Sequence, residues 1–202
     1  MRAILILTAT LVLSAASGLA LADEYEAGGV TFEPTITVRS GDDAEHSLRC
    51  TGTALRKKFF FKVYAAAAYL DEGTEPGEDP GATYVAADAP KRIHLQMLRD
   101  VESETIVSSI DEAFEKCATT PLEEIESERV AFREAFSMEE LLKGQDIRFT
   151  WIPGTGLQIS VDHEMLDVIA SSAFAKSFFE IYFGPEPVDG GMKKNLLKLV
   201  TE

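Results

Sequence analysis

An arginine and a tyrosine, Arg56 and Tyr64, stand eight positions apart in the segment RKKFFFKVYAAAAYL, residues 56–70. A guanidinium keeps its charge and pairs bidentately with a carboxylate. A phenol can add one hydrogen bond. The alanines at 65–68 remove side-chain bulk beside them. Together these residues suggest the capture of an amphiphile. Its acidic head would sit on Arg56 and Tyr64, and its apolar body would lie along Phe60, Ala66 and Ala68 if Tyr64 faces the pocket. Geometry sets a condition. Eight residues of unbroken strand span roughly 27 Å, so the two groups can grip one carboxylate only if the chain bends or reverses near Lys57 and Lys58. Otherwise Arg56 is a surface charge, as most arginines are, and Tyr64 is a core aromatic. Phe59, Phe60 and Phe61 on a regular strand would point to both faces, so both faces should be covered. Lys62 would share a face with Phe60 and Tyr64, as a snorkelling lysine or a second cation.

Elsewhere the chemistry is sparse. His46, His94 and His163 are scattered, with no H-E-x-x-H or paired Cys/His spacing, so no metal site is expected. There is no G-x-S-x-G elbow. Gly154-Thr155-Gly156 lacks the rest of a dinucleotide loop and reads as a turn. No cofactor is expected. Asp111, Glu112 and Glu115 read as a solvated helix face.

The chain of 202 residues opens with Arg2, an uncharged stretch at 3–16 and Ala20-Leu21-Ala22 ahead of Asp23 and Glu24. That pattern predicts a secretory signal peptide over 1–22, with the mature domain at 23–202 and a periplasmic or secreted location. No later run is long and apolar enough to span a bilayer. The net charge is -15, and losing Arg2 makes it -16. Such acidity excludes nucleic acid, whose phosphates need clustered cations. It also predicts avoidance of anionic membrane surfaces. Cys50 and Cys117 carry no framework signature, and either a disulfide or two buried thiols fits.

The elements that would position these residues follow from pattern. Strands are expected near 30–38, 47–53 and 59–70, and the alternation of Ile93, Leu95 and Met97 against Arg92, His94 and Gln96 predicts a half-buried strand. Residues 71–81 read as a loop. Ser103 is expected to cap a helix carrying Ile106, Val107, Ile110, Phe114 and Cys117, and Pro121 to open a second one. Ser137 and Glu140 suggest a capping box for a short third helix ending at Gly144. A hairpin is predicted at 147–161, then a helix at 173–183 stopped by Gly184 and Pro185, and a last helix near 191–199. Strands, then helices, then a hairpin and further helices describe an α+β domain.

In this order, RKKFFFKVYAAAAYL (56–70), KRIHLQMLRDV (91–101), WIPGTGLQI (151–159) and FAKSFFEIYFGPEPVDGGMKKNLL (174–197) resemble the chalcone isomerase-like family, in its exported bacterial branch. The resemblance implies an open-faced β-sandwich, a large antiparallel sheet covered on one face by helices, with a ligand cleft between them. Arg56 matches the arginine that polarises the substrate in the isomerases and holds a carboxylate in the plastid fatty-acid binders. Tyr64 matches the tyrosine of the binders, where the isomerases carry threonine. The tyrosine and asparagine of the isomerases have no counterpart in ETIVSSIDEAF (104–114), and their late threonine or serine aligns with Ile181.

Three functions are therefore expected to compete. One is an exported, non-catalytic binder of a fatty acid or similar apolar carboxylate, held by Arg56 and Tyr64. Another is an intramolecular lyase of the chalcone isomerase type, with Arg56 polarising a conjugated carbonyl. The third is a cell-envelope interaction module with no small ligand.

Overall fold

The computed structural model describes residues 25–41 and 43–201, so the expected leader at 1–22 lies outside the described residues. A short ribbon comes first, β1 (Glu26–Ala27) with β2 (Val30–Thr31). Then come β3 (Thr35–Arg39), β4 (Glu45–Lys58), β5 (Phe61–Asp71), helix α1 (Pro80–Ala86) and β6 (Lys91–Met97). The chain then leaves the sheet for β7 (Val101–Glu102), α2 (Ser103–Cys117), α3 (Glu126–Ala135) and β8 (Glu140–Leu141). It returns as β9 (Asp146–Ile152), β10 (Gly156–Val161) and β11 (Glu164–Ile169), and closes with α4 (Ser172–Phe183) and α5 (Gly190–Leu196).

Seven strands form one sheet in the order β11-β10-β9-β6-β5-β4-β3, and every neighbouring pair is antiparallel. Two meanders meet where β6 lies beside β9, with Ile93 opposite Phe149. Strand alternation then sorts the side chains. Ile93, Leu95 and Met97 of β6 and Ile147, Phe149 and Trp151 of β9 enter the core beneath the helices. Arg92, His94 and Gln96 turn to the other face, as their spacing predicts.

The helix layer covers one face. α4 is its centre: Phe174, Phe178, Phe179 and Phe183 are fully buried, and α4 packs against α1, α2 and β10. On the opposite face, Phe32, Leu48, Ala65, Ala67 and Tyr69 form a smaller core with Ala27 of the β1–β2 ribbon. The rest of that face stays open, so the architecture is the expected α+β open-faced β-sandwich. Cys50 belongs to the smaller core and Cys117 to the larger, and both are free, buried thiols.

Several local expectations give way. Residues 59–70 are not one strand, because the chain reverses at Phe59 and Phe60. The loop at 71–81 ends in α1: Asp79 caps it, accepting from the Gly81 and Ala82 amides, and Pro80 fits its first turn. Tyr84 then anchors α1, its single hydroxyl proton shared between the carbonyls of Tyr69 and Arg92. Ser103 begins α2 but does not cap it, and its Oγ is buried without a partner among the described residues. The third helix expected before Gly144 is absent. Its residues are tied to the sheet instead, since Val101 pairs with Leu141 and the Gly144 amide donates to the Met97 carbonyl.

Candidate functional site

The reversal at Phe59 and Phe60 brings the candidate anion binders together. In the β4–β5 ladder Lys58 lies opposite Phe61, and Arg56 lies directly opposite Tyr64. Opposed residues keep their Cβ atoms about 4.5–5.5 Å apart, against the ~27 Å of an unbroken strand. The register slips between Arg56 and Lys57. Such an irregularity bends a strand and re-aims its side chains. Ala54 and Ala66, next to the pair on the same side, lie in the core beneath the helices.

Arg56 and Tyr64 line a cavity of about 320 Å³ between the sheet and the helices. Its floor is Leu95, Met97, Ile147 and Phe149; Ile106, Ile110 and Ala113 of α2 and Ile181 of α4 close it from above. Arg56, Lys58, Glu112 and Lys116 bring charge to it. The volume falls at the low end of ordinary small-ligand pockets, about 300–1,000 Å³, and the pattern of apolar walls with a few convergent polar groups is theirs too.

Two further residues neighbour this pair. Asp189 caps α5, accepting from the Met192 amide through Oδ1, while its Oδ2 accepts from Arg56 Nη1 at 3.1 Å. The Arg56 side chain is 28% exposed. Its Nε and Nη2 have no partner among the described residues, so the fork can hold Asp189 and still present donors to a ligand. Tyr182 of α4 is the neighbour of Tyr64. Burial pushes the Tyr64 phenol up, and the Arg56 cation and the Tyr182 hydroxyl pull it back less strongly. Burial raises Tyr182 further, with Tyr64 beside it. Both phenols therefore stay neutral at physiological pH, each able to give one hydrogen bond.

The other expected lining residues lie elsewhere. Phe60 is 98% exposed at the hairpin tip and does not line the cavity, because the turn carries it away from Tyr64. Phe59 and Phe61 are exposed with it, and the covered faces expected for them do not exist. Lys62 is exposed as well. Ala66 and Ala68 do share the face of Tyr64, but both are fully buried in the main core. The room they leave is taken by the chain at α5. At Gly52, paired with Ala68, any Cβ would collide with the Asn195 carbonyl oxygen.

Residues 24–198 match the model of the chalcone isomerase-like family. The chain belongs to that family. No curated protein matches its sequence. Among solved structures it is similar to a fatty-acid binding protein of Arabidopsis thaliana, at 17% identity and a TM-score of 0.64, over 83% of this chain and 100% of that one. Within this chalcone isomerase-like fold, α2 offers the cavity Thr105, Ile106, Ser109, Ile110, Glu112, Ala113 and Lys116. Glu112 and Lys116 are the ionisable groups among them.

A second, wider hollow of about 690 Å³ lies on the open face of the sheet. It is polar, and its charges are largely spent on each other. Asp146 accepts from Arg148 at 3.0 Å and pairs with His94 at 2.8 Å, while Arg92 Nε donates to Thr150 Oγ1. Unlike the cavity under the helices, it has no apolar enclosure for a ligand's body.

Proposed function

We propose that this protein is an exported, non-catalytic binder of a fatty acid or a similar apolar carboxylate. Arg56 supplies the ionic anchor, Tyr64 a hydrogen bond, and the apolar space between sheet and α2 takes the chain. The observation that carries this reading is the direct opposition of Arg56 and Tyr64 in the wall of a mainly apolar cavity. Binding needs only a charged fork and a phenol. The named activity of the similar Arabidopsis protein, fatty-acid binding, supports the same chemistry.

A lyase would need more. It must stabilise a nucleophile and a developing enolate with several placed donors, and the α2 wall contributes Thr105, Ser109, Glu112 and Lys116 but neither a tyrosine nor an asparagine. Binding therefore accounts for the site with fewer demands.

Native mass spectrometry of the freshly purified protein tests the proposal. A retained fatty acid, removed by delipidation and taken up again on titration, is the expected result. Protein that arrives empty and takes up no fatty acid of any chain length would overturn it. Export is tested by fractionating cells that express the full chain, with recovery of a product lacking residues 1–22 outside the cytoplasm expected.

A further inference from the structure

The tip of the β4–β5 hairpin is costly for a soluble protein. Phe59, Phe60 and Phe61 are 87%, 98% and 62% exposed, consecutive, and at the end of a protruding ladder. Phe59 holds a φ of 55°. Two-residue hairpin loops normally give such positions to Gly, Asn or Asp, because a bulky side chain is strained there. Folding gives no reason for phenylalanine at this turn.

The charge around the tip is equally out of character. The chain has 34 acidic residues against 19 Lys and Arg, yet residues 46–70 contain no Asp or Glu. Lys57, Lys58 and Lys62 are all exposed beside the three rings. Arg99, from the turn after β6, lies over the Phe61 ring at 5.1 Å. Three carboxylates, Asp100, Glu102 and Glu140, share a hollow on one side of the tip with Lys58, Phe59, Phe61 and Arg99, while Lys57 and Lys62 lie outside it. An apolar point ringed by cations complements a surface that is anionic outside and apolar just below, which is the interface of an acidic bilayer. The net charge of -15 does not oppose this, since charges farther than about 8 Å from the surface are screened at physiological ionic strength.

We infer that this hairpin tip docks the protein on anionic bilayers, with Phe59, Phe60 and Phe61 entering the interfacial layer and Lys57, Lys58, Lys62 and Arg99 against the headgroups. No helix among the described residues is long and apolar enough to cross a membrane, and three rings with four cations give a peripheral, reversible contact. Lys58 and Val63 line both the hollow beside the tip and the ligand cavity, so docking sets the cavity beside the lipid. The inference goes beyond the ligand reading and stands apart from it, because vesicle binding does not depend on what fills the cavity.

Vesicle flotation provides the test. A chain starting at Asp23 keeps every described element and removes the apolar leader, which would bind vesicles by itself. It should float with phosphatidylcholine vesicles carrying about one-third phosphatidylglycerol, and far less with phosphatidylcholine alone. The combined F59S/F60S/F61S variant should partition at least about tenfold more weakly. Lys57→Gln, Lys58→Gln and Lys62→Gln should each cost roughly fivefold on anionic vesicles. All these positions are exposed, so thermal melting should show the variants folded. Phe60→Trp should give a blue-shifted emission on adding vesicles. Wild-type protein that stays with the soluble fraction, as a tip built for a protein partner would, overturns the inference. So does a triple serine variant that floats like wild type, or a Phe60→Trp variant whose emission vesicles leave unchanged.

Discussion

At the residue scale the account turns on one guanidinium with two claimants. Arg56 already donates to Asp189, so a ligand carboxylate must share the fork or compete for it. Arg56→Ala should weaken fatty-acid binding by about ten- to hundredfold, as loss of a charge-assisted bond does, read by calorimetric titration. Asp189→Asn separates the roles of that carboxylate. Asparagine caps helices about as well as aspartate, so α5 should keep its stability, while removal of the competing charge should strengthen binding severalfold. A second residue-scale expectation concerns pH. Burial holds the His94 imidazole below its ordinary 6.5 more than Asp146 can raise it. Between those two values the unfolded chain binds the extra proton, so stability is lost as pH falls below about 6.5. Urea titrations at pH 7.5 and pH 5.5 should show a smaller loss for His94→Gln than for wild type. Arg56 and Tyr64 stand out in the sequence as candidates because their types are unusual in a small-residue strand, and the structure places them opposite each other. Asp189 and Tyr182 are not, because Asp189 lies 133 positions from Arg56 and Tyr182 hides in a stripe of phenylalanines.

At the element scale the decisive piece is the β4–β5 hairpin, whose two-residue loop converts a separation of eight positions into a cross-strand pair. The loop is invisible in the sequence because it has none of the Gly, Asn or Asp that such turns use. Phe59→Gly should relieve the strained φ and leave the protein equally stable or up to about 1 kcal/mol more stable, measured by thermal melting. If it destabilises the fold, Phe59 has a packing role that its exposure does not reveal. Gly52 behaves in the opposite way. Its φ is +152°, and backbone atoms of Asn195 and Leu196 lie within 2.9 Å of where a Cβ would stand, so Gly52→Ala must push α5 off β4. A loss of about 3 kcal/mol or more is expected, or roughly 6–12 °C in melting temperature. β6 is legible because burial on one face leaves a regular period, and α4 because nine of its twelve residues are buried in an apolar run stopped by Gly184 and Pro185. Two-residue strands such as β7 and β8 leave none, so the segment before Gly144 reads as helical.

At the scale of the whole molecule, a sheet covered on one face and largely open on the other puts the mainly apolar cavity inside the main core. A ligand there should stabilise the fold as a whole. At a free concentration of one hundred times Kd, the gain is about 2.7 kcal/mol, or roughly 5–10 °C in melting temperature for a domain of this size. The fold class is legible because the order of strands, helices and hairpin, with the family's segments in sequence, leaves few alternatives. The cavity is not, since its walls come from β4, β5, β6, β9, α2 and α4 together. The most direct test of the central claim, that Arg56 receives an acid headgroup, follows the carboxyl carbon of a 13C-labelled fatty acid through a pH titration in the protein. A cation beside the carboxylate favours the ionised form, so the bound acid should titrate below the free acid, and Arg56→Ala should abolish that depression. A bound acid that titrates at or above the free value in wild type, or identically in both proteins, would contradict the account.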